Sequence, residues 1–285
     1  MTIEFRKIHG AANDFIVVDG RPVSDGGSGQ RDWAALAIRA CDRRRGAGAD
    51  GVLVLELPDG PGADFHMRYH NADGGEAEMC GNGIRCLARF ALEVGVTEKH
   101  ELAWQTGAGL VRTEVLAQGA TESTVRVNMG RPRLTPSEVP VEGGGAMVRE
   151  QPFAVDGTSL ALTCVSMGNP HAITYVDDVE TFPLERLGPL VEHHQAFPRR
   201  TNFEIVEVLA PDHLRMRVWE RGVGETMACG TGACAVAVAS HIVKGTSDTV
   251  AVDLPGGRLS IHWAEGEDVM MTGPAETAFV GKLDE

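Results

Sequence analysis

Short runs in which apolar and polar positions alternate, or in which β-branched residues crowd together, dominate this chain. Alternation of period two marks half-buried strands, and continuous apolar runs of similar length mark strands covered on both faces. In the first part these signals predict strands over residues 3–8, 14–19, 52–57, 64–70, 101–105 and 110–116. They resume at 124–128, 159–165, 172–176, 203–209 and 214–219, and a final hairpin pairs 249–254 with 258–263 around Pro255-Gly256-Gly257. Residues 32–42 carry Trp33, Leu36, Ala37 and Ala40 on one stripe and predict an amphipathic helix, with a second over 184–193. The Gly-rich stretch 142–146 predicts a mobile surface loop, and the polar break at 119–123 a domain boundary.

Two segments stand apart. Residues 83–94 (GIRCLARFALEV) and 232–243 (GACAVAVASHIV) are each long enough for three helical turns. The second is small and apolar on nearly every side, and such a helix must be buried. One such helix in each strand-rich half predicts an α+β protein of two similar domains, each a sheet wrapped around a central helix. The predicted ranges are 1–121 and 122–273, with a strand at 274–285 returning to the first domain.

The halves also repeat in sequence. Residues 71–83 read NADGGEAEMCGNG and residues 220–232 read ERGVGETMACGTG, matching without gaps at Gly75/Gly224, Glu76/Glu225, Cys80/Cys229, Gly81/Gly230 and Gly83/Gly232. A weaker echo precedes each copy: Asn13 opens an apolar strand ending in Asp19, and Asn169 one ending in Asp177. Matching Cys and Glu, each block followed by a buried-type helix, point to a duplicated unit. Duplicated domains tend to meet about a pseudo-two-fold axis with a ligand at the interface, which predicts Cys80 and Cys229 on opposite sides of one site.

Composition narrows the function. The chain has 285 residues, with 26 Lys and Arg against 40 Asp and Glu for a net charge of −14. That balance argues against a nucleic-acid partner, which needs clustered positive charge. No apolar run approaches the ~18 residues of a membrane span, and MTIEFRKIHG alternates where a signal peptide would be continuously apolar. Six cysteines in such a length are too sparse for a disulfide scaffold, which predicts a cytoplasmic protein with free thiols.

Each repeated cysteine begins a glycine-rich turn opening a helix, where unpaired N–H groups and the helix dipole favour an anion and lower a thiol pKa. Gly81, Gly83, Gly230 and Gly232 let a carboxylate approach the backbone. Two such thiols flanking one carbon suit a stereochemical inversion, one removing a proton and the other supplying one. N–H groups at the helix ends would stabilise the enolate-like intermediate, so no electron-sink cofactor is required. Cys41, Cys86, Cys164 and Cys234 read as buried hydrophobes. No C-x-x-C pair supports zinc. Gly46–Gly51 fits G-x-G-x-x-G but precedes a strand, the reverse of a dinucleotide site. The arginines at 43–45 read as a solvated charge run. Asn13 and Asn169 also suit turns, Asn202 the start of a strand, and Glu76 and Glu225 helix entry.

At these residues the chain resembles the diaminopimelate epimerases. HGAANDF at 9–15, NADGGEAEMCGNG, GNPH at 168–171 and ERGVGETMACGTG resemble the family's signature blocks, and NMG at 128–130, LPGGRL at 254–259 and MTGPA at 271–275 add matches. The resemblance implies a two-domain fold of repeated topology and an epimerase of LL- and meso-diaminopimelate, serving lysine and peptidoglycan precursor synthesis. It implies no pyridoxal phosphate and no metal, a small-molecule substrate, and a homodimer. It further implies Cys80 and Cys229 as the acid–base pair. Gly81, Asn82, Gly230 and Thr231 would hold the reacting carboxylate, and Asn13, Asn71, Asn169, Asn202, Glu220 and Arg221 the rest of the substrate. His171 and Glu220 would tune the thiols. The chain departs from some members in having Gly51 for Gln and Phe279 for a dimer-interface Tyr. Two other readings are a proline or hydroxyproline racemase, for which an Asn- and Arg-rich distal pocket is unsuited, and a thiol-redox or ligand-binding protein, for which a resolving C-x-x-C is lacking.

Overall fold

The computed structural model describes residues 2–21 and 31–284. The chain divides into two compact units, Met1–Val127 with Gly273–Glu285, and Asn128–Thr272. Residues 1 and 285, at the ends of the predicted domain ranges, lie outside the described residues.

The first unit holds β1 (Thr2–Gly10), β2 (Asn13–Asp19), α1 (Trp33–Ala40), β3 (Gly51–Glu56), β4 (Phe65–Asn71), β5 (Glu76–Ala77), α2 (Gly81–Glu93), β6 (Glu101–Thr106), β7 (Gly109–Gln118) and β8 (Glu122–Asn128). The second holds β9 (Gln151–Val155), β10 (Thr158–Ser166), β11 (Pro170–Tyr175), α3 (Leu184–Glu192), β12 (Asn202–Ala210), β13 (His213–Glu220), β14 (Gly224–Thr226), α4 (Gly230–Lys244), β15 (Thr249–Leu254) and β16 (Gly257–His262). The last strand, β17 (Met270–Asp284), starts in the second unit and finishes in the first, where it pairs antiparallel with β1.

The two units share one pairing scheme. In the first, β1–β2 is antiparallel, β2–β3 parallel, β3–β4 and β4–β5 antiparallel, β4–β6 parallel and β6–β7 antiparallel. In the second the same sequence of senses runs through β10–β11, β11–β12, β12–β13, β13–β14, β13–β15 and β15–β16. Duplication seen as sequence blocks is therefore duplication of topology. Within each unit the sheet curls around one helix, α2 against β1, β2, β3 and β7, and α4 against β10, β11, β12, β15 and β16. A strand such as β3 is then covered on both faces. Val52 and Val54 pack in a cluster with Leu36, Ala37 and Ala40 of α1, while Leu53 lies under Gly83 of α2. Burial on both faces explains why β3 reads as one apolar run and not as an alternation.

The unit boundary falls at 127/128, not at the polar break 119–123. That break is the turn after β7, with the Gly119 N–H bonded to the Glu122 carbonyl at 2.7 Å. Arg89 of α2, buried at 2% exposure, donates to the Ala120 carbonyl (3.0 Å) and Ser123 Oγ (2.9 Å). A turn whose polar groups are consumed by a buried guanidinium belongs to the core it caps. Arg85 and Arg89 also reach β17, through the Pro274 carbonyl (3.1 Å) and Thr277 Oγ1 (2.7 Å). Periodicity marked this helix as buried but did not show that its two arginines fasten the returning strand.

Candidate active site

Both repeated cysteines are helix N-caps. Cys80 caps α2 and Cys229 caps α4, each with an extended backbone and each accepting the N–H three residues on, from Gly83 and Gly232, at 3.4 Å. Gly81 and Asn82, and Gly230 and Thr231, are the first helical residues, and first-turn N–H groups point out of a helix end toward an anion.

In the first unit the Cys80 thiol donates to Asn13 Oδ1 at 3.7 Å, and Asn82 Nδ2 donates to the same oxygen at 3.3 Å. Asn13 Nδ2 in turn donates to Asp50 Oδ2 at 2.7 Å. Asp50 lies in the glycine-rich turn before β3, so the dinucleotide-like pattern there is a support for Asn13. Arg43 bridges Asp14 (2.7 Å) and Asp50 (2.8 Å), and is thus a brace for this turn rather than a purely solvated charge. Asn71 ends β4 opposite Gly51. A Cβ at Gly51 would lie 2.5 Å from the Tyr69 ring, so that ring fills the space a larger residue would need.

In the second unit Thr231 Oγ1 lies 3.5 Å from Cys229 Sγ and accepts from Asn169 Nδ2 at 3.2 Å. Asn169 Oδ1 lies 3.0 Å from His171 Nε2, and His171 Nδ1 lies 2.6 Å from Glu204 Oε1. His171 therefore reaches Cys229 through two intervening side chains. Asn202, only 3% exposed, spends its amide on the Pro170 carbonyl (2.8 Å) and the Arg221 N–H (2.9 Å), which makes it a brace for the exposed Arg221. Glu220 accepts from Thr226 Oγ1.

The electrostatics differ from expectation at Cys229. Helix N-termini favour thiolates, yet burial first, then the nearby Glu220 and Glu204 carboxyls, push this thiol well above its ordinary value. Hydrogen bonds from Thr231 and Gly232 oppose that shift without overcoming it. Alkylation of Cys229 by iodoacetamide in the substrate-free protein should therefore keep rising above pH 9. A plateau near neutrality, measured by peptide mass spectrometry, would contradict it. The four other cysteines are buried as expected. Burial pushes the Cys41 thiol up to about 11.

The same blocks identify the chain's relatives. The sequence model of diaminopimelate epimerase matches residues 5–135 and 163–278. The chain belongs to the diaminopimelate epimerase family. It is 48% identical over 280 residues to a diaminopimelate epimerase of Pelotomaculum thermopropionicum, covering 98% of each chain. It is 50% identical over 286 residues to one of Gloeothece citriformis, covering 99% of each. Among solved structures it resembles a Bacillus anthracis phenazine biosynthesis protein of the PhzF family (TM-score 0.69, 17% identity, all of both chains). It also resembles a probable proline racemase of Agrobacterium radiobacter (TM-score 0.70, 17% identity, 99% of this chain and 93% of that one). These structures share the α+β fold predicted from the sequence. Sequence reasoning missed Asp50 and Glu204, and two local signals were available: Asp50 sits in a glycine turn, and Glu204 interrupts the apolar run of β12 two residues after Asn202.

Proposed function

We propose that this protein is an isomerase that interconverts LL- and meso-diaminopimelate without pyridoxal phosphate, with Cys80 and Cys229 as its acid–base pair. The observation that carries this reading is the equivalence of the two thiols. Each is an N-cap, each holds the N–H three residues on, and each is linked to the Asn at the matching place in its unit, Cys80 directly to Asn13 and Cys229 to Asn169 through Thr231. Inversion at an α-carbon needs a proton taken from one face and another delivered to the opposite face. One thiolate takes the α-proton and becomes a thiol, the carboxylate carries the enolate-like charge, and the second thiol gives up its proton. N–H groups at residues 81–82 and 230–231 would stabilise that charge as oxyanion donors. Arg221 and the asparagines would bind the distal amino-acid end, Arg221 by a bidentate grip on its carboxylate. The family resemblance extends this reading to a cytoplasmic homodimer of the lysine pathway. Among the described residues no helix is long and apolar enough to cross a membrane.

The test is incubation with LL-diaminopimelate and no added cofactor, following the ratio of LL to meso isomers. The ratio should move toward a mixture and be insensitive to hydroxylamine. An unchanged ratio, or activity lost to hydroxylamine, would overturn the proposal.

A further inference from the structure

The duplication supplies an internal comparison that singles out one residue. In the ladder between β11 and β12, His171 stands opposite Asn202, as Phe15 stands opposite Gly51 between β2 and β3. In the next ladder Glu204 stands opposite Val218, as Leu53 stands opposite Tyr69. The equivalence extends to the helix. A Cβ at Gly83 would meet Leu53 Cδ2 at 3.1 Å, and a Cβ at Gly232 would meet Glu204 Oε1 at 2.9 Å. The position beneath each thiol-bearing turn is thus apolar in one unit and a carboxyl in the other. All four side chains belong to residues at 0% exposure. The topology manages with Phe15 and Leu53, so His171 and Glu204 are not required to form it. Burying a polar pair costs stability unless something else retains it.

What the pair does follows from the direction of each hydrogen bond. Asn169 donates through Nδ2 to Thr231, so its Oδ1 is turned to His171 Nε2. Two acceptors cannot bond, hence Nε2 carries a hydrogen. The 2.6 Å contact between Nδ1 and Glu204 Oε1 then holds one further proton, on the ring or on the carboxyl. Glu204 Oε2 has no partner among the described residues, and burial raises the carboxyl pKa despite His171. Thr231 Oγ1, having accepted from Asn169, directs its own hydrogen elsewhere, with Cys229 Sγ at 3.5 Å. In the first unit the equivalent amide runs the other way. Asp50 takes the Nδ2 hydrogen of Asn13, and the oxygen faces Cys80.

We propose that Glu204 is a positioning residue for Cys229, anchoring His171 so that the chain through Asn169 and Thr231 ends with a hydroxyl donor on the thiol sulfur. The nearest printed side-chain contact is then an acceptor, Asn13 Oδ1, for Cys80 and a hydroxyl, Thr231 Oγ1, for Cys229, so the half-sites are matched in fold and differ in the polarity of that contact. The inference rests on the two-thiol reading above, and its test separates the two.

The experiment is a double-mutant cycle on epimerisation. Glu204→Leu, the residue found at the equivalent place in the first unit, should lower kcat about tenfold or more. Thr231→Val keeps the backbone N–H and removes the last link of the chain, and should lower kcat comparably. The doubly substituted enzyme should be no slower than the slower single variant, because a severed chain cannot be severed again. Effects that multiply, or a normal kcat for Glu204→Leu, would overturn the proposal. Should Glu204→Leu fail to fold by circular dichroism, the cycle runs with Glu204→Gln. A few-fold loss is then expected, absent in the Thr231→Val background, and a loss that persists there overturns the proposal. Near-normal epimerisation by Cys229→Ala would instead defeat the two-thiol reading, whatever the cycle gives.

Discussion

Cys80→Ala and Cys229→Ala are each expected to lower epimerisation by orders of magnitude while leaving the fold intact. Each thiol caps a central helix by accepting the backbone N–H three residues on, at 3.4 Å. Losing such a cap costs about 1 kcal/mol, a small part of the stability of a domain this size. The catalytic loss is of another order. A general acid or base in place contributes roughly 10²–10⁴ in rate, and here each turnover needs both. Water cannot readily replace the Cys229 thiol, because Cys229 is only 5% exposed. Circular dichroism and the LL-to-meso ratio, taken on the same preparations, check the two halves of the expectation. Near-normal turnover by either variant contradicts it.

The double substitution His171→Phe with Glu204→Leu should separate stability from activity in the other direction. It installs in the second unit the apolar pair that the first unit already carries as Phe15 and Leu53. Phe15 packs edge-on against Tyr69, and the second unit carries Val218 at the place of Tyr69, so the larger ring enters beside a smaller neighbour. Replacing a buried, strongly polar pair by apolar residues is often neutral or stabilising, whereas removing one partner strands the other. The melting temperature should therefore equal or exceed that of the wild type. Turnover should fall by about 10²-fold or more, since both the anchor and the ring it holds are gone. His171→Phe alone leaves Glu204 buried without its partner and should melt below both. A double variant that melts well below wild type would show that the pair is structural.

Much of this was legible in the chain. Among the described residues periodicity located the four helices and most strands, because each has one clear environment: two faces buried for β3, one for α1, all round for α4. Two cysteines in equivalent glycine turns pointed to the proposed reacting groups, because the physics that makes them useful is local to a helix end. What stayed hidden depends on contacts distant in sequence. Arg89 holds a turn some thirty positions on, and Arg43 joins two aspartates that composition alone cannot bring together. The short strands β5 and β14 have too few residues to show a period. Glu204 was hidden for a different reason. A charge in the apolar run of β12 was visible, but its contrast with Leu53 appears only when strand register aligns the two, and register is a property of the folded ladders.

The most direct test of the central claim is α-proton exchange in deuterated water, measured for each diaminopimelate isomer with Cys80→Ala and Cys229→Ala. Each variant keeps one thiol and both helix ends, so each can still remove a proton from one face only. Residual exchange should be confined to one isomer in each variant, and the two variants should retain opposite isomers. Exchange of both isomers by a single variant, or retention of the same isomer by both, would contradict the claim.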